Sequence, residues 1–136
     1  MIRLTALTFL ACAIAWAGDA ADLATKDTPW CTLSVPKTAK PGEQVTLTIK
    51  MKPGAIAQPA TLCVDLHKYV GKERKPGAGR ARPMKLNANE PSEHTPAFTM
   101  PDDATAVTFV VYVAPAGKTG WADKLESTEL GIKVAL

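Results

Sequence analysis

The sequence predicts an all-β protein, an antiparallel β-sandwich of six to eight short strands. Three observations carry that class. Apolar and polar residues alternate at period two in several runs, as at Val45-Thr46-Leu47-Thr48-Ile49-Lys50-Met51. Pro-Gly and Pro-Asp-Asp breaks separate those runs. No window of about 11 residues spaces its apolar positions as an amphipathic helix does, and 11 prolines count against a helical bundle.

Along the chain, Met1-Ile2-Arg3 is basic, Leu4 to Trp16 is uncharged and apolar, and small residues follow through Ala20. That order describes a secretory signal peptide over residues 1–20, cleaved near residues 17–20. The apolar run is too short for an ordinary membrane span and no second run follows, so a secreted or periplasmic product without a span is expected. Lipid attachment at Cys12 fits poorly, because Cys12 falls inside the apolar run. Residues 21–29 are polar and small, a flexible N-terminal segment. The sandwich then occupies residues 30–136, enough for one core and not two.

Cys31, Leu33 and Val35 alternate with Thr32 and Ser34 in the first strand. Pro41-Gly42 turns the chain, and Val45 to Met51 is the clearest half-buried strand, ended by Pro53-Gly54. Leu62, Val64 and Leu66 form the next, with Cys63, Asp65 and His67 on its other face. Met84–Leu86 and Ala97–Met100 are short edge candidates, the second closed by Pro101-Asp102-Asp103. Val107, Phe109, Val111 and Val113 alternate with Thr108, Val110 and Tyr112 up to Pro115. A glycine-containing loop over 116–124 leads to a last strand carrying Leu130, Ile132 and Val134.

Cys31 and Cys63 are the only cysteines beyond the leader. In an oxidising compartment the pair reads as one disulfide, with two free buried thiols as the alternative. It would close a loop of about 33 residues and stabilise the fold by ~3–4 kcal/mol. Register complicates it: Cys31 shares parity with Leu33 and Val35, whereas Cys63 has the parity opposite to Leu62 and Val64. A bond therefore requires a bulge or an edge crossing. The spacing makes no zinc or redox motif.

Lys40-Pro41-Gly42-Glu43-Gln44-Val45-Thr46-Leu47-Thr48-Ile49 resembles the second strand of immunoglobulin-like and fibronectin type III-like modules in secreted bacterial proteins. Tyr112 to Val134, "YVAPAGKTGWADKLESTELGIKV", resembles the last hairpin of immunoglobulin-like accessory modules in bacterial polysaccharide-degrading proteins. The resemblance implies an immunoglobulin-like sandwich from Trp30 onward and a binding or accessory role, and it brings no catalytic residues. Two features depart from it. Such modules usually adjoin a larger domain, and the central Trp and cysteine placement of antibody-type domains are lacking.

The chain carries a formal +3, yet Lys68 to Lys85 alone holds seven basic residues and one acid, Glu73. Gly71, Pro76, Gly77, Gly79 and Pro83 forbid a helix there, which predicts a mobile hairpin or crossover loop. Lys72, Arg74, Lys75, Arg80 and Arg82 are its anion-binding candidates. They suit a sulfated or uronic polysaccharide, another anionic cell-envelope polymer or an acidic protein. The alternative is a solvated loop that only aids solubility. Export argues against nucleic acid as partner.

Nothing suggests an enzyme. No nucleophile elbow accompanies His67 and His94, and Asp102-Asp103 after Pro101 is turn chemistry. His67, His94, Met51, Met84, Met100 and the cysteines form no ligand cluster. No cofactor or metal is expected, and a periplasmic metal-binding protein is the weakest alternative. In an immunoglobulin-like order the outward face of the sheet would present Asp65, His67, Val110, Tyr112, Glu129 and Lys133. That is either a sugar or peptide platform centred on Tyr112 or an ordinary amphipathic face. Trp121 either stacks on a ligand beside Asp123 and Lys124 or folds back over the core to hold its loop. Trp30 reads as structural. The expected function is a non-catalytic secreted module recognising carbohydrate or an envelope polymer, with a structural or protein-interaction domain as the alternative.

Overall fold

In the computed structural model of the chain, residues 22–135 are described; the signal-peptide reading of 1–20 lies outside them. Twelve strands follow one another among the described residues. They are β1 (Leu23–Asp27), β2 (Cys31–Pro36), β3 (Thr38–Ala39), β4 (Gln44–Thr46), β5 (Thr48–Met51) and β6 (Ala60–Val70), then β7 (Glu73–Arg80), β8 (Met84–Leu86), β9 (Ser92–His94), β10 (Ala97–Thr99), β11 (Ala106–Pro115) and β12 (Glu126–Val134). One sheet has the order β1-β2-β5-β9 and the larger has β3-β12-β11-β6-β7, with β8 also on β6 and β4 pairing β10. This is the all-β, immunoglobulin-like sandwich of the sequence reading, with its strands cut into more pieces than six to eight.

The period-two pattern explains the core. Leu33, Val35, Leu47, Ile49, Leu62, Val64, Leu66, Val107, Phe109 and Val111 are fully buried between the sheets. Phe98 meets Phe109 edge-on with ring centroids 5.3 Å apart. Trp30 is buried with this cluster, so its structural assignment holds.

Two local expectations are corrected. The run Val45–Met51 is two strands: β4 pairs β10, whereas β5 pairs β2 and β9. The change of partner falls at Leu47, whose N–H donates to the Pro96 carbonyl at 2.9 Å. Alternation survives this break, so the sequence pattern does not reveal it. Leu23–Asp27, expected to be loose, forms an antiparallel ladder with β2, and Lys26 Nζ reaches the Glu129 carbonyl of β12 at 3.0 Å.

Of the two forms expected for the stretch after His67, the structure has the hairpin and not the crossover loop. β6 continues to Val70, turns at Gly71 with φ 65°, and returns as β7 in an antiparallel hairpin. Here the charged side chains hide the strand signal, because both faces of an edge strand can be polar.

The expected disulfide is absent, and both cysteines are free and buried. Cys31 points into the sandwich core. Cys63 sits opposite Tyr112 on the regular β6–β11 ladder and packs with Val110 and Tyr112 on the other face of the larger sheet. No bulge rescues the parity conflict there: the irregularity of β6 falls between Leu66 and Lys68, further along and toward β7. Burial pushes both thiol pKa values up, so both are held as inert thiols.

Candidate functional site

The outward face of the larger sheet gathers most of the candidate residues. The register places Asp65, Val110 and Glu129 in one row across β6, β11 and β12, and Cys63, Tyr112 and Ser127 in the next. His67, Thr108 and Gly131 form a third row on the other side of the first. The strand adjacency expected from the sequence is therefore present.

Two arginines of β7 cross this face. Arg80 stands opposite Asp65. Its Nη2 donates to Tyr112 Oη at 2.9 Å and to the Thr119 carbonyl at 2.7 Å. Tyr112 Oη donates to the same carbonyl at 2.7 Å. Arg80 Nε lies 3.2 Å from Asp65 Oδ1, an ion pair. It is not a well-aimed hydrogen bond, because that buried oxygen keeps no hydrogen-bond partner. Arg74 donates from Nε to His67 Nδ1 at 3.1 Å and from Nη1 to Glu129 Oε1 at 3.2 Å. The His67 proton is thereby assigned to Nε2.

These contacts revise the anion-binding set. Arg74 and Arg80 are engaged as straps, and the Glu129 carboxylate holds the Arg74 pKa above its usual range. Lys72, Lys75 and Arg82 are exposed and have no ion pair among the described residues. Lysines and Pro76 along the open edge of β7 also block pairing with another sheet.

Tyr112 is not an exposed platform, one of the two alternatives that the sequence offered. It is 1% exposed, and burial raises its phenol pKa to about 12. The cover is Trp121, in a short 3₁₀ turn (Trp121–Asp123) of the β11–β12 loop. Its ring meets Tyr112 edge-on, with centroids 5.3 Å apart at 85°. Trp121 nevertheless stays 44% exposed, and Lys124 Nζ lies 4.2 Å from the indole centroid. Trp121 thus both packs and remains accessible. Asp123 is exposed, and no side-chain hydrogen bond caps the turn. Trp121 and Leu125, 45% exposed, are the large apolar side chains left open among the described residues.

Asp65 and His67 instead line a cleft of about 330 Å³ with Pro76, Gly77, Gly79 and Arg80. It lies where β7 bulges away from β6 between the Leu66 and Lys68 pairings. Asp65 pairs with Arg80 whereas the indole rests on Tyr112, so the candidates divide into a loop patch and this cleft. Sequence reasoning missed Thr119, which acts through a backbone carbonyl and has no side-chain signature. It also missed Leu125, an apolar residue in a polar loop that was legible. No group of three or more His, Cys, Asp or Glu side chains converges among the described residues.

No protein-family model matches the chain, and no curated protein matches it. Solved structures do. A chain from the complex of zinc 2-glycoprotein and prolactin-inducible protein of human seminal plasma is similar at 14% identity and a TM-score of 0.46, over 83% of this chain and 93% of that one. The sporulation control protein of Bacillus subtilis is similar at 19% identity and a TM-score of 0.45, over 85% of this chain and 48% of that one. A β-glucosidase from Listeria innocua in complex with gluconolactone is similar at 17% identity and a TM-score of 0.42, over 82% of this chain and 15% of that one. No helix among the described residues is long and apolar enough to cross a membrane.

Proposed function

We propose that this protein is a non-catalytic, exported binding module that recognises carbohydrate or an anionic envelope polymer through its β11–β12 loop. The observation that carries the reading is an indole held in place yet 44% open to solvent. Arg80 and Tyr112 both fix the Thr119 carbonyl two residues before Trp121. The loop is therefore ordered before any ligand arrives, which lowers the entropy cost of binding. Asp123 and Lys124 beside the ring supply the polar groups that hydroxyls need. Displacing Lys124 from an exposed ring costs only about 0.5–1 kcal/mol. The basic, apolar and small order of the N-terminus supports export.

A polysaccharide array read at two salt concentrations tests this. Trp121→Ala should weaken glycan binding several-fold and leave the melting temperature within a few degrees. Failure to bind any neutral or anionic glycan removes the proposal. Exposed Leu125, four residues after Trp121, favours a second reading, a protein partner. In that case a partner captured by the intact protein should be lost in Leu125→Ser while the glycan array stays empty.

A further inference from the structure

A second groove lies at the opposite end of β11, lined by outward positions of the larger sheet together with Val107, Ile132 and Ala24 of β1. Tyr112 under the loop and Ala106 at the groove are six positions apart, about 20 Å along a strand. The groove encloses about 540 Å³, and its lining is mainly apolar. Register explains its shape. Tyr69, Ala106, Lys133 and Thr38 form one row across β6, β11, β12 and β3, and Thr108 and Gly131 stand side by side in the adjacent row. Ala106 and Gly131 make a low floor between Tyr69 on one rim and Lys133 on the other. With strands about 4.8 Å apart, the rims stand roughly 10 Å from each other at the backbone. Lys37 lines the lysine rim too, its carbonyl accepting from Lys133 N–H at 3.1 Å.

Gly131 is the telling residue. A glycine inside a strand weakens it relative to alanine. Its backbone is not in the left-handed region, and a Cβ there would meet Thr108 Oγ1 and the Val107 carbonyl at an ordinary 3.6 Å. Neither conformation nor crowding requires glycine at this position. Its effect is to leave the floor open, as where a ligand approaches the backbone closely. The rims supply complementary chemistry. Lys37 and Lys133 have no ion pair among the described residues, and the Thr108 hydroxyl at the floor makes no hydrogen bond among them.

The geometry points to a binding site for a hexuronic acid residue, a sugar ring carrying a carboxylate. The ring lies on Ala106 and Gly131 against the Tyr69 ring, Thr108 meets a ring hydroxyl, and the carboxylate faces Lys37 and Lys133. The choice of a sugar rests on the glycan reading above, whereas the groove and its charge stand on residues that the loop does not share.

Titration of the purified, isotope-labelled protein with tri-galacturonic acid, followed by amide NMR, tests the assignment. The Ala106, Thr108 and Gly131 signals should shift, while neutral maltotriose and benzoate leave them in place. Gly131→Val, which fills the floor, and Lys37→Gln with Lys133→Gln should each weaken binding by about tenfold or more, the equivalent of ~1.4 kcal/mol. Trp121→Ala should leave these shifts unchanged, so loss of the loop site and loss of the groove are told apart. The proposal is overturned by an absence of shifts at millimolar tri-galacturonate. Equal shifts with maltotriose or with benzoate, or undiminished binding in the lysine double variant, overturn it too. That variant alters only exposed residues and decides the matter even where Gly131→Val does not fold.

Discussion

Replacing Arg80 with methionine keeps the aliphatic stem and removes the guanidinium that ties β7 to the β11–β12 loop. Two hydrogen bonds disappear, at 2.9 Å to Tyr112 Oη and 2.7 Å to the Thr119 carbonyl. A charged hydrogen bond contributes about 1.5–3 kcal/mol when buried. The Arg80 side chain is 50% exposed, so about 1 kcal/mol for each is the appropriate scale. Tyr112 still donates to Thr119 O, which limits the loss. Asp65, 27% exposed with a buried oxygen already lacking a hydrogen bond, loses its ion pair. The expected change is a destabilisation of ~2–3 kcal/mol in urea unfolding. Amide exchange should also quicken across 117–124, where the loop loses a tether. Lys72→Met serves as control, since an exposed lysine without a partner should cost under about 0.5 kcal/mol. A loss below about 0.5 kcal/mol for Arg80→Met, or unchanged exchange in the loop, would refute the strap.

Burial raises the Tyr112 pKa from 10.0 to about 12. Its contribution to stability is complete below pH 10 and is lost as pH rises through about 12, because only the unfolded chain releases the proton in between. Over that window wild type should lose about 2–3 kcal/mol relative to Tyr112→Phe in unfolding measured at a series of pH values; parallel curves would contradict it. Denatured protein should yield two reactive thiols from Cys31 and Cys63, and melting should be insensitive to reductant; a sulfur–sulfur link would overturn the outward placement of Cys63. Phe109→Ala should cost about 3–5 kcal/mol in chemical denaturation, since the ring is fully buried and meets Phe98 edge-on. A loss below about 1 kcal/mol would mean that the two sheets do not pack there.

Different residues were legible to different degrees. Val107 to Val113 announced their strand and inward face because alternation follows directly from the pleat, but their burial does not alternate: Thr108, Val110 and Tyr112 on the outward face are buried too. A hairpin after His67 was one of two forms read from the sequence, but its strand β7 was hidden because its residues pack on the sheet through guanidinium groups, which carry no hydrophobic signature. Among site residues, Trp121 was legible as an unusual loop indole, while the burial of Tyr112 was not. Its cover comes from Trp121 nine residues on and from Arg80 on another strand. The parity of Cys63 already conflicted with a disulfide, and the structure resolves the conflict in favour of parity.

By itself the sequence determined the β class, the inward faces of the principal strands and the concentration of cations after His67. These are properties of period, composition and order, which a chain carries before it folds. Only the tertiary structure decided that Arg74 and Arg80 are straps, that Cys31 faces the core from the smaller sheet while Cys63 lies on the outward face of the larger one, and that Gly131 opens a groove between Tyr69 and Lys133. The physical reason is that such roles depend on which residues from distant parts of the chain stand opposite one another. Strand pairing sets that, and local periodicity leaves it open.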